Sequence, residues 1–247
     1  MLVSFRQTYS SGRDELFDIY LRDKRLIELT NLCDINIYSF HNCDRTTIDS
    51  FQQKIKGVIK NPVYLEFQDI SYTETVKGLK IYLKEIGCTH FFFHQDDTFS
   101  IIENENVDWN ELLAYIKSYD KDFMLSLYNK HTILNPRDPD VINKSFDVYE
   151  STTWDFYKSD KTPWPMDDTP YICTVDMLDE MYDEEYFSTV DIWEAERLLR
   201  DRYKKKKRSI NRFVTNKAMF RNYNLFGKTL FMADIARKIL RRNKLVI

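Results

Sequence analysis

The sequence predicts an α/β fold in which a mostly parallel central sheet is flanked by helices. Short apolar segments alternate with amphipathic segments of helical period along the first half of the chain. Such alternation is typical of parallel strands joined by crossover helices, which cover both faces of the sheet. Of 247 residues 43% are apolar, while Gly (5) and Pro (6) are scarce. This composition supplies a core and argues against disordered linkers and propeller-type turn arrays.

The predicted elements follow one another regularly as far as residue 128. Strands are expected at residues 2–5, 34–40, 63–67, 89–94 and 123–128. Helices are expected at residues 13–31, 46–59, 71–87 and 108–119, where apolar residues recur every three or four positions. In an open parallel sheet the ligand site lies at the carboxyl ends of the strands. We therefore expect the loops after Phe5, Phe40 and His94 to converge on one crevice.

The second half is predicted to be less regular. Residues 129–170 contain five of the six prolines and two of the four tryptophans, which predicts irregular or edge-strand structure. Helices are expected to resume at residues 174–182, 191–207 and 228–242. The four cysteines are widely spaced, without a CxxC pair, so reduced thiols in a cytoplasmic protein are expected. No leader and no run of about 18 apolar residues is recognisable, so we expect no membrane span.

The most informative local feature is an acidic pair after the fourth predicted strand. Residues 91–97 read FFFHQDD, so Asp96 and Asp97 follow a buried strand where the chain enters the crevice. Adjacent carboxylates repel each other, so burying both is costly unless a cation binds between them. Their oxygens suit Mg²⁺ or Mn²⁺ held against a diphosphate. The alternative is that the pair only begins a turn or caps an element.

Two segments resemble type A glycosyltransferases, especially the rhamnosyltransferase-like members of family 2. Residues 71–99 match that family's helix, Gly turn, apolar strand and DXD-like QDD segment, and residues 178–198 match its late acidic segment and the following helix. The resemblance implies a GT-A (Rossmann-like) fold. It also implies a metal-dependent, inverting transfer of a sugar, from a UDP- or dTDP-sugar donor to a hydroxyl of a glycan or glycoprotein acceptor. Abundant Lys, Asn, Ile, Tyr and Phe fit an AT-rich microbial or large-DNA-virus genome.

The resemblance also implies roles for individual residues. Asp97 would bind the divalent metal, and Asp96 would contact the metal or the ribose. Asp191 is the nearest match to the general base, although it could simply be an N-cap, with Glu194 completing a capping box. Glu194 and Glu196 are the alternatives for the base. By the same resemblance Phe5, Arg6 and Thr8 would lie near the base and ribose, with Asn42 or Asp44 nearby. Lys77 could approach the nucleotide or only belong to a solvated face of its helix.

Aromatic and basic side chains supply further candidates. Trp164, between two prolines, and Trp154 could stack on an acceptor sugar, as could Trp193, although packing in the core is the alternative for each. Residues 197–247 hold 17 Lys and Arg against 2 Asp and Glu, leaving 19 against 37 in the rest of the chain. This basic region could bind nucleic acid, contact an anionic membrane through residues 228–242, or face the donor phosphates. The nearest candidates for a phosphate contact are Arg212, Lys217, Arg221, Asn222 and Asn224.

We therefore predict one GT-A catalytic domain over residues 1–247. Residues 1–128 would form its nucleotide-sugar-binding half, and residues 129–247 its acceptor-binding and catalytic half with basic C-terminal helices. Two other functions stay open. A non-catalytic sugar-binding domain of the same fold is suggested by His94 and Val190, which stand where the family has acids. A nucleic-acid-binding protein is suggested by the basic C-terminal region. The separation of acidic residues before residue 197 from basic residues after it favours the enzyme.

Overall fold

The computed structural model describes the N-terminal half almost completely and parts of the second half. The described residues are 1–8, 14–100, 107–119, 122–127, 156–158, 170–189, 191, 194–195, 197–199, 201, 212–215 and 219–222. The predicted helix at residues 228–242 and the candidates Trp154, Trp164, Trp193, Glu196, Lys217 and Asn224 lie outside them. In the part of the chain that is described, no helix is long and apolar enough to cross a membrane.

Strands and helices alternate along the described chain. The strands are β1 (Leu2–Thr8), β2 (Ile35–His41), β3 (Pro62–Phe67), β4 (His90–Gln95), β5 (Thr98–Ser100), β6 (Met124–Ser126), β7 (Phe156–Lys158), β8 (Tyr171–Thr174), β9 (Arg212–Thr215) and β10 (Phe220–Asn222). The helices are α1 (Asp14–Arg22), α2 (Lys24–Asn31), α3 (Arg45–Ile55), α4 (Tyr72–Glu85), α5 (Trp109–Ser118), α6 (Val175–Met181) and α7 (Glu184–Phe187).

The central sheet has the strand order β3-β2-β1-β4-β8-β6-β9-β7. The first four strands in this order are parallel to one another, whereas β8 is antiparallel to both of its neighbours. Strand β9 is parallel to β6, and β7 is antiparallel to β9. Within the described residues, six of these eight strands therefore run in one direction, which confirms the predicted mostly parallel sheet. Strands β5 and β10 form a separate antiparallel pair.

Each face of the sheet buries its own apolar core. We call the face covered by α1, α2, α3 and α5 the closed face, and the face covered by α4, α6 and α7 the cleft face. Successive side chains of a strand point to opposite faces. Thus Phe92 of β4 packs in the core of the closed face, while Phe91 and Phe93 pack in the core of the cleft face. The two cores hold β1 and β4 in the middle of the molecule.

Local chemistry explains where the helices around the site begin and end. Ser71 and Glu74 form a capping box at the start of α4, and Gly87 (φ 70°), predicted to end the helix, follows its end. The predicted helix at residues 13–31 is instead two helices. Asp23 separates them, and its side chain accepts the N–H of Leu26 as the N-cap of α2.

Several predicted boundaries were wrong. Strand β1 continues to Thr8, whereas the prediction ended it at residue 5, because Arg6 and Gln7 are paired with both β2 and β4. Strand β8 lies directly after the predicted irregular segment 129–170, and β5, β8, β9 and β10 were not predicted. These strands have only three or four residues, too few for a periodic pattern to be recognised.

Candidate functional site

The predicted acidic pair forms a two-residue turn between β4 and β5. Asp96 and Asp97 are buried, with exposed fractions of 0% and 3%. The main-chain N–H of Asp96 donates to the carbonyl of Gln7 at 2.9 Å, which continues the pairing of β4 with β1. The N–H of Gln95 donates to Thr98 Oγ1 at 3.2 Å. The turn therefore lies at the carboxyl ends of β1 and β4, the edge that the sequence analysis predicted.

A fully buried arginine lies beside this turn. The guanidinium of Arg6 donates to the main-chain carbonyls of Gln95 at 3.1 Å and Asp96 at 2.5 Å. The same guanidinium lies 3.0 Å from Nδ1 of His94, and its carbon lies 4.1 Å from the centre of the Tyr20 ring. Arg6 thus joins β1 to the last residue of β4 and to the turn.

The buried charges of the described residues gather at this edge of the sheet. The buried Arg, Lys, Asp and Glu side chains there are Arg6, Asp23, Asp96 and Asp97. Burial lowers the pKa of Arg6, and the nearby Asp96 opposes that shift. Burial raises the pKa of Asp23, while hydrogen bonds from Ser100 oppose it. Three carboxyl groups therefore lie near one guanidinium at this edge.

His94 stands where the resembled family has an acid, and here it is a neutral side chain. A guanidinium can only donate, so Nδ1 of His94 must accept from Arg6 and the ring proton lies on Nε2. Burial and the positive charge of Arg6 both hold the pKa of His94 well below its ordinary 6.5. The ring also stacks on Phe92, with 4.8 Å between ring centres. His94 therefore adds no negative charge to the acidic turn.

The closed face beneath Arg6 continues as a buried polar network. The hydroxyls of Tyr20 and Tyr38 are 2.8 Å apart, and the Tyr20 hydroxyl lies 3.5 Å from Thr30 Oγ1. Asp23 accepts hydrogen bonds from the N–H and the hydroxyl of Ser100, the last residue of β5. Because β5 follows the acidic turn directly, Arg6 holds the turn at its start and Asp23 anchors the strand that leaves it.

A cleft opens on the other face of the same strands. The cleft lies between α4, α6 and the sheet, and the space within and in front of it, open solvent included, is about 440 Å³. Its aromatic walls are Phe5, Phe91, Phe93, Tyr171, Tyr72 and Tyr182, and the other residues that line it are Gln7, Thr75, Val76, Leu79, Lys80 and Leu178. Gln7 is paired with Gln95, so the cleft reaches the edge of the sheet that carries the acidic turn.

Two predicted nucleotide contacts follow β2 and hold loops together. Asn42 has φ 52°, and its Oδ1 accepts the N–H of Asp69 at 3.1 Å, which ties it to the loop after β3. Asp44 is the N-cap of α3 and accepts the N–H of Thr47 at 2.7 Å. Their contact with a nucleotide stays a prediction, as does that of Thr8, which ends β1.

The other predicted residues lie nearer to α4 and α7. Nζ of Lys77 lies 3.6 Å from Glu184, an exposed residue of α7. Asp191 is exposed, and its Oδ1 accepts the N–H of Glu194 at 3.1 Å, so it caps the helical residues that follow. The hydroxyl of Thr73 donates to the carbonyl of Thr189 at 2.6 Å, which ties this segment to the start of α4. The catalytic roles of Asp191 and Glu194 stay predictions.

The late basic segment returns to the acidic turn. Strand β10 pairs with β5, with Arg221 opposite Phe99 and Asn222 opposite Thr98. Asn222 is therefore paired with the residue that directly follows the acidic turn. Two of the candidates for a phosphate contact lie on this strand, whereas Arg212 lies on β9.

Sequence reasoning predicted that Arg6 contacts the nucleotide but missed its bonds to the acidic turn. The contributions of Tyr20, Asp23 and Ser100 were missed as well. One signal was available: the period of two along β1 directs residues 2, 4 and 6 to one face, so a strand continued beyond residue 5 would bury Arg6 as it buries Leu2. An arginine buried in a sheet needs several acceptors, which only neighbouring strands can supply.

Comparisons with known proteins identify the fold. No family model and no curated protein sequence matches the chain. A UDP-glucose pyrophosphorylase solved in complex with UDP-glucose is 9% identical, covers 98% of this chain and 99% of its own, and has a TM-score of 0.55. The 4-diphosphocytidyl-2C-methyl-D-erythritol synthase from Anaerococcus prevotii DSM 20548 is 11% identical, with coverages of 98% and 96% and a TM-score of 0.53. The chain therefore has a GT-A-like fold, as predicted.

Proposed function

We propose that the protein is a glycosyltransferase that moves a sugar from a nucleoside-diphosphate donor, a UDP- or dTDP-sugar, to a hydroxyl of a glycan or glycoprotein. One observation carries this proposal: the buried charged side chains of the described residues gather at the carboxyl ends of β1 and β4. In open α/β sheets this edge is where ligands bind. A structural neighbour with this fold was solved with UDP-glucose, which supports a nucleotide-sugar as the ligand.

The acidic turn suits a divalent metal held together with the donor. The described residues contain no group of three or more His, Cys, Asp or Glu that could hold a metal on its own. Mg²⁺ and Mn²⁺ often take one or two carboxylates from the protein and further oxygens from phosphates, so Asp96 and Asp97 are a sufficient protein contribution. When bound, the metal would stabilise the negative charge of the departing nucleoside diphosphate.

The proposed transfer needs one carboxylate near the acceptor. Asp191 would accept the proton of the acceptor hydroxyl while that oxygen attacks the anomeric carbon. The bond from this carbon to the diphosphate oxygen breaks and the nucleoside diphosphate leaves. The configuration at the anomeric carbon is thereby inverted. Asp191 is exposed and tied to the start of α4 through Thr189, which supports this role. Glu194, also exposed, and Glu196 are the alternatives.

Sugar binding is proposed for the aromatic surfaces next to the turn. The rings of Phe93 and Tyr171 stack with 5.0 Å between centres at the end of the cleft. Aromatic rings provide apolar faces that pack against the C–H groups of a sugar, and the same argument supports Trp154 and Trp164 as acceptor contacts. Residues 1–128 would then bind mainly the donor and residues 129–247 mainly the acceptor.

Calorimetry with UDP and dTDP, each with and without Mn²⁺, is the first test of this proposal. We expect binding that depends on Mn²⁺, followed by release of the nucleoside diphosphate from one member of a panel of donors when a glycan acceptor is added. The absence of metal-dependent binding to either nucleotide would refute the proposal. Formation of UTP from UDP-glucose and pyrophosphate would indicate nucleotidyl transfer instead.

The general base is tested by a matched pair of substitutions. We expect Asp191→Asn to abolish transfer while leaving Mn²⁺-dependent nucleotide binding intact, and Glu194→Gln to retain transfer. The opposite result would assign the base to Glu194. Nucleotide or sugar binding without turnover by any donor would support the non-catalytic alternative. Steep loss of affinity for DNA or RNA with rising salt would support nucleic-acid binding.

A further inference from the structure

The contacts of Arg6 define where the acidic turn lies. Its guanidinium donates to two consecutive main-chain carbonyls, those of Gln95 and Asp96, and these are the last residue of β4 and the first of the turn. A guanidinium is a rigid planar fork, so two such bonds fix orientation as well as distance. The turn is thereby attached to β1 through a side chain in addition to the main-chain bond between Asp96 and Gln7.

The surroundings of Arg6 keep the fork in one orientation. The ring of Tyr20 lies against its face, with 4.1 Å from the guanidinium carbon to the ring centre. Nδ1 of His94 accepts from the same nitrogen that donates to Gln95. Arg6 is fully buried, so water does not compete for these bonds.

His94 orients Arg6 without changing the charge of the acidic turn. A carboxylate at residue 94, as in the resembled family, would pair with the guanidinium and add another negative charge to the edge. The neutral imidazole instead orients Arg6 without adding charge. Arg6 is thus held by a neutral partner, and it holds the turn through main-chain carbonyls.

We propose that Arg6, oriented by His94, is the positioning residue of the acidic turn: it fixes the main chain so that Asp96 and Asp97 present their carboxylates to a divalent cation with a nucleoside diphosphate. This inference rests on the proposed function. Groups that orient metal ligands commonly change metal affinity by about 10- to 100-fold when they are removed. The guanidinium also carries a positive charge, which by itself would weaken the binding of a cation.

These two effects of Arg6 have opposite signs, and this makes the proposal testable. The test measures binding of Mn²⁺ in the presence of UDP by electron paramagnetic resonance of the free ion, on the full chain. If Arg6 positions the turn, Arg6→Gln weakens Mn²⁺ binding about tenfold or more, and Arg6→Lys, which keeps the charge, restores part of the loss. If Arg6 is only a neighbouring charge, Arg6→Gln strengthens Mn²⁺ binding, and that result would overturn the proposal.

Ser4→Ala is the matched control. Ser4 is buried on the same strand and the same face, and its hydroxyl donates to Asn36 Oδ1 at 2.6 Å, away from the turn. We expect its Mn²⁺ affinity to stay within about twofold of the wild-type value, even if its thermal stability falls. An equal loss of Mn²⁺ affinity in Ser4→Ala and Arg6→Gln would show that general destabilisation is responsible, and would overturn the positioning role.

A second position keeps the proposal testable if both Arg6 variants fail to fold. His94→Leu removes the acceptor beside Arg6, whereas His94→Asn retains an oxygen acceptor of similar reach. We expect the Leu variant to lose more Mn²⁺ affinity than the Asn variant. Equal affinities in the two variants would overturn the role of His94 as the partner that orients Arg6. If the wild-type protein does not bind Mn²⁺ and UDP at all, the proposed function itself fails, and this inference fails with it.

Discussion

The two faces of β1 and β4 differ although their residues alternate along the same strands. On the closed face, Arg6 and His94 belong to a fully buried network of hydrogen bonds. On the cleft face, Phe5, Phe91 and Phe93 line an aromatic cleft that is partly open to solvent. The acidic turn directly follows β4, whose residues contribute to both faces. One face therefore holds the turn in place, and the other provides space next to it.

This difference shows how a short sheet edge can combine rigidity with access. Buried polar groups are stable only when their hydrogen bonds are made, so the closed face tolerates little change in geometry. An apolar cleft has no such requirement, because its walls lose only packing contacts when they move. We expect substitutions on the closed face to have larger effects than equivalent ones on the cleft face.

The largest effect on stability is expected for Phe92, which has a direct counterpart in Phe93. Phe92 is fully buried on the closed face, so Phe92→Ala should lower the free energy of unfolding by about 3–5 kcal/mol. Phe93 borders existing open space, so Phe93→Ala should cost about 1–2 kcal/mol less than Phe92→Ala. Urea unfolding of both variants measures the difference. Equal losses would contradict the distinction between the two faces.

The second effect concerns the turn that the closed face holds. Asp97→Asn removes a carboxylate charge without changing its size, so we expect Mn²⁺-dependent binding of UDP to weaken by roughly 100-fold. The control is Asp49→Asn, which removes an exposed acid that pairs with Arg45 on α3. Calorimetry of UDP binding to both variants in the presence of Mn²⁺ measures the two affinities. Unchanged binding in Asp97→Asn would refute the proposed metal site.

A smaller effect is expected for the pH dependence of stability. His41 lies on the cleft side of β2, and burial lowers its pKa to about 4 from its ordinary 6.5. The folded protein then binds fewer protons than the unfolded chain between these values, so the free energy of unfolding falls as the pH falls through this range. His94, on the closed face, has its pKa lowered as well.

Replacing His41 separates its contribution from that of His94. We expect His41→Gln to reduce the loss of stability between pH 7 and pH 5 by about 1–2 kcal/mol, since glutamine does not titrate. Chemical unfolding of both proteins at the two pH values measures this reduction. If the variant loses as much stability as the wild-type protein, His41 is not the group responsible.

The smallest effect tests whether the cleft is open space. Val76 lines the cleft, so the additional methyl group of Val76→Ile should be accommodated and change the free energy of unfolding by a few tenths to about 0.8 kcal/mol, as a stabilisation. Val3 is fully buried in the core of the cleft face but does not line the cleft, and Val3→Ile should destabilise the protein by about 1 kcal/mol or more. Destabilisation by both variants would show that the cleft has no usable space.

Elements with a strong local pattern were predicted within one or two residues of the structure. Strand β2, expected at residues 34–40, is Ile35–His41, and α4, expected at residues 71–87, is Tyr72–Glu85 after its capping box. Both have an apolar period or a cap that depends only on neighbouring residues. Strand β8, which lies between β4 and β6 in the sheet, was missed because its four residues are too few to show an apolar period. Its antiparallel position depends on pairing with residues far away in the chain.

The same distinction applies to the site. Asp96 and Asp97 were predicted at the carboxyl end of β4 because an acidic pair after an apolar strand is a local pattern. The bonds from Arg6 to the turn were missed, since 88 or more residues separate the partners in sequence. The break between α1 and α2 was missed although the cap that Asp23 forms with the N–H of Leu26 is local; only the bonds from Ser100 to Asp23 come from far along the chain.

The sequence alone determined the alternation of strands and helices and the position of the acidic pair at the carboxyl edge of the sheet. These features follow from periodicity and from chemistry between near neighbours. Only the tertiary structure decided that Arg6 and His94 hold the acidic pair from one face while an aromatic cleft opens on the other. Hydrogen bonds and packing between distant strands determine such arrangements, and no local pattern of residues encodes which distant groups will meet.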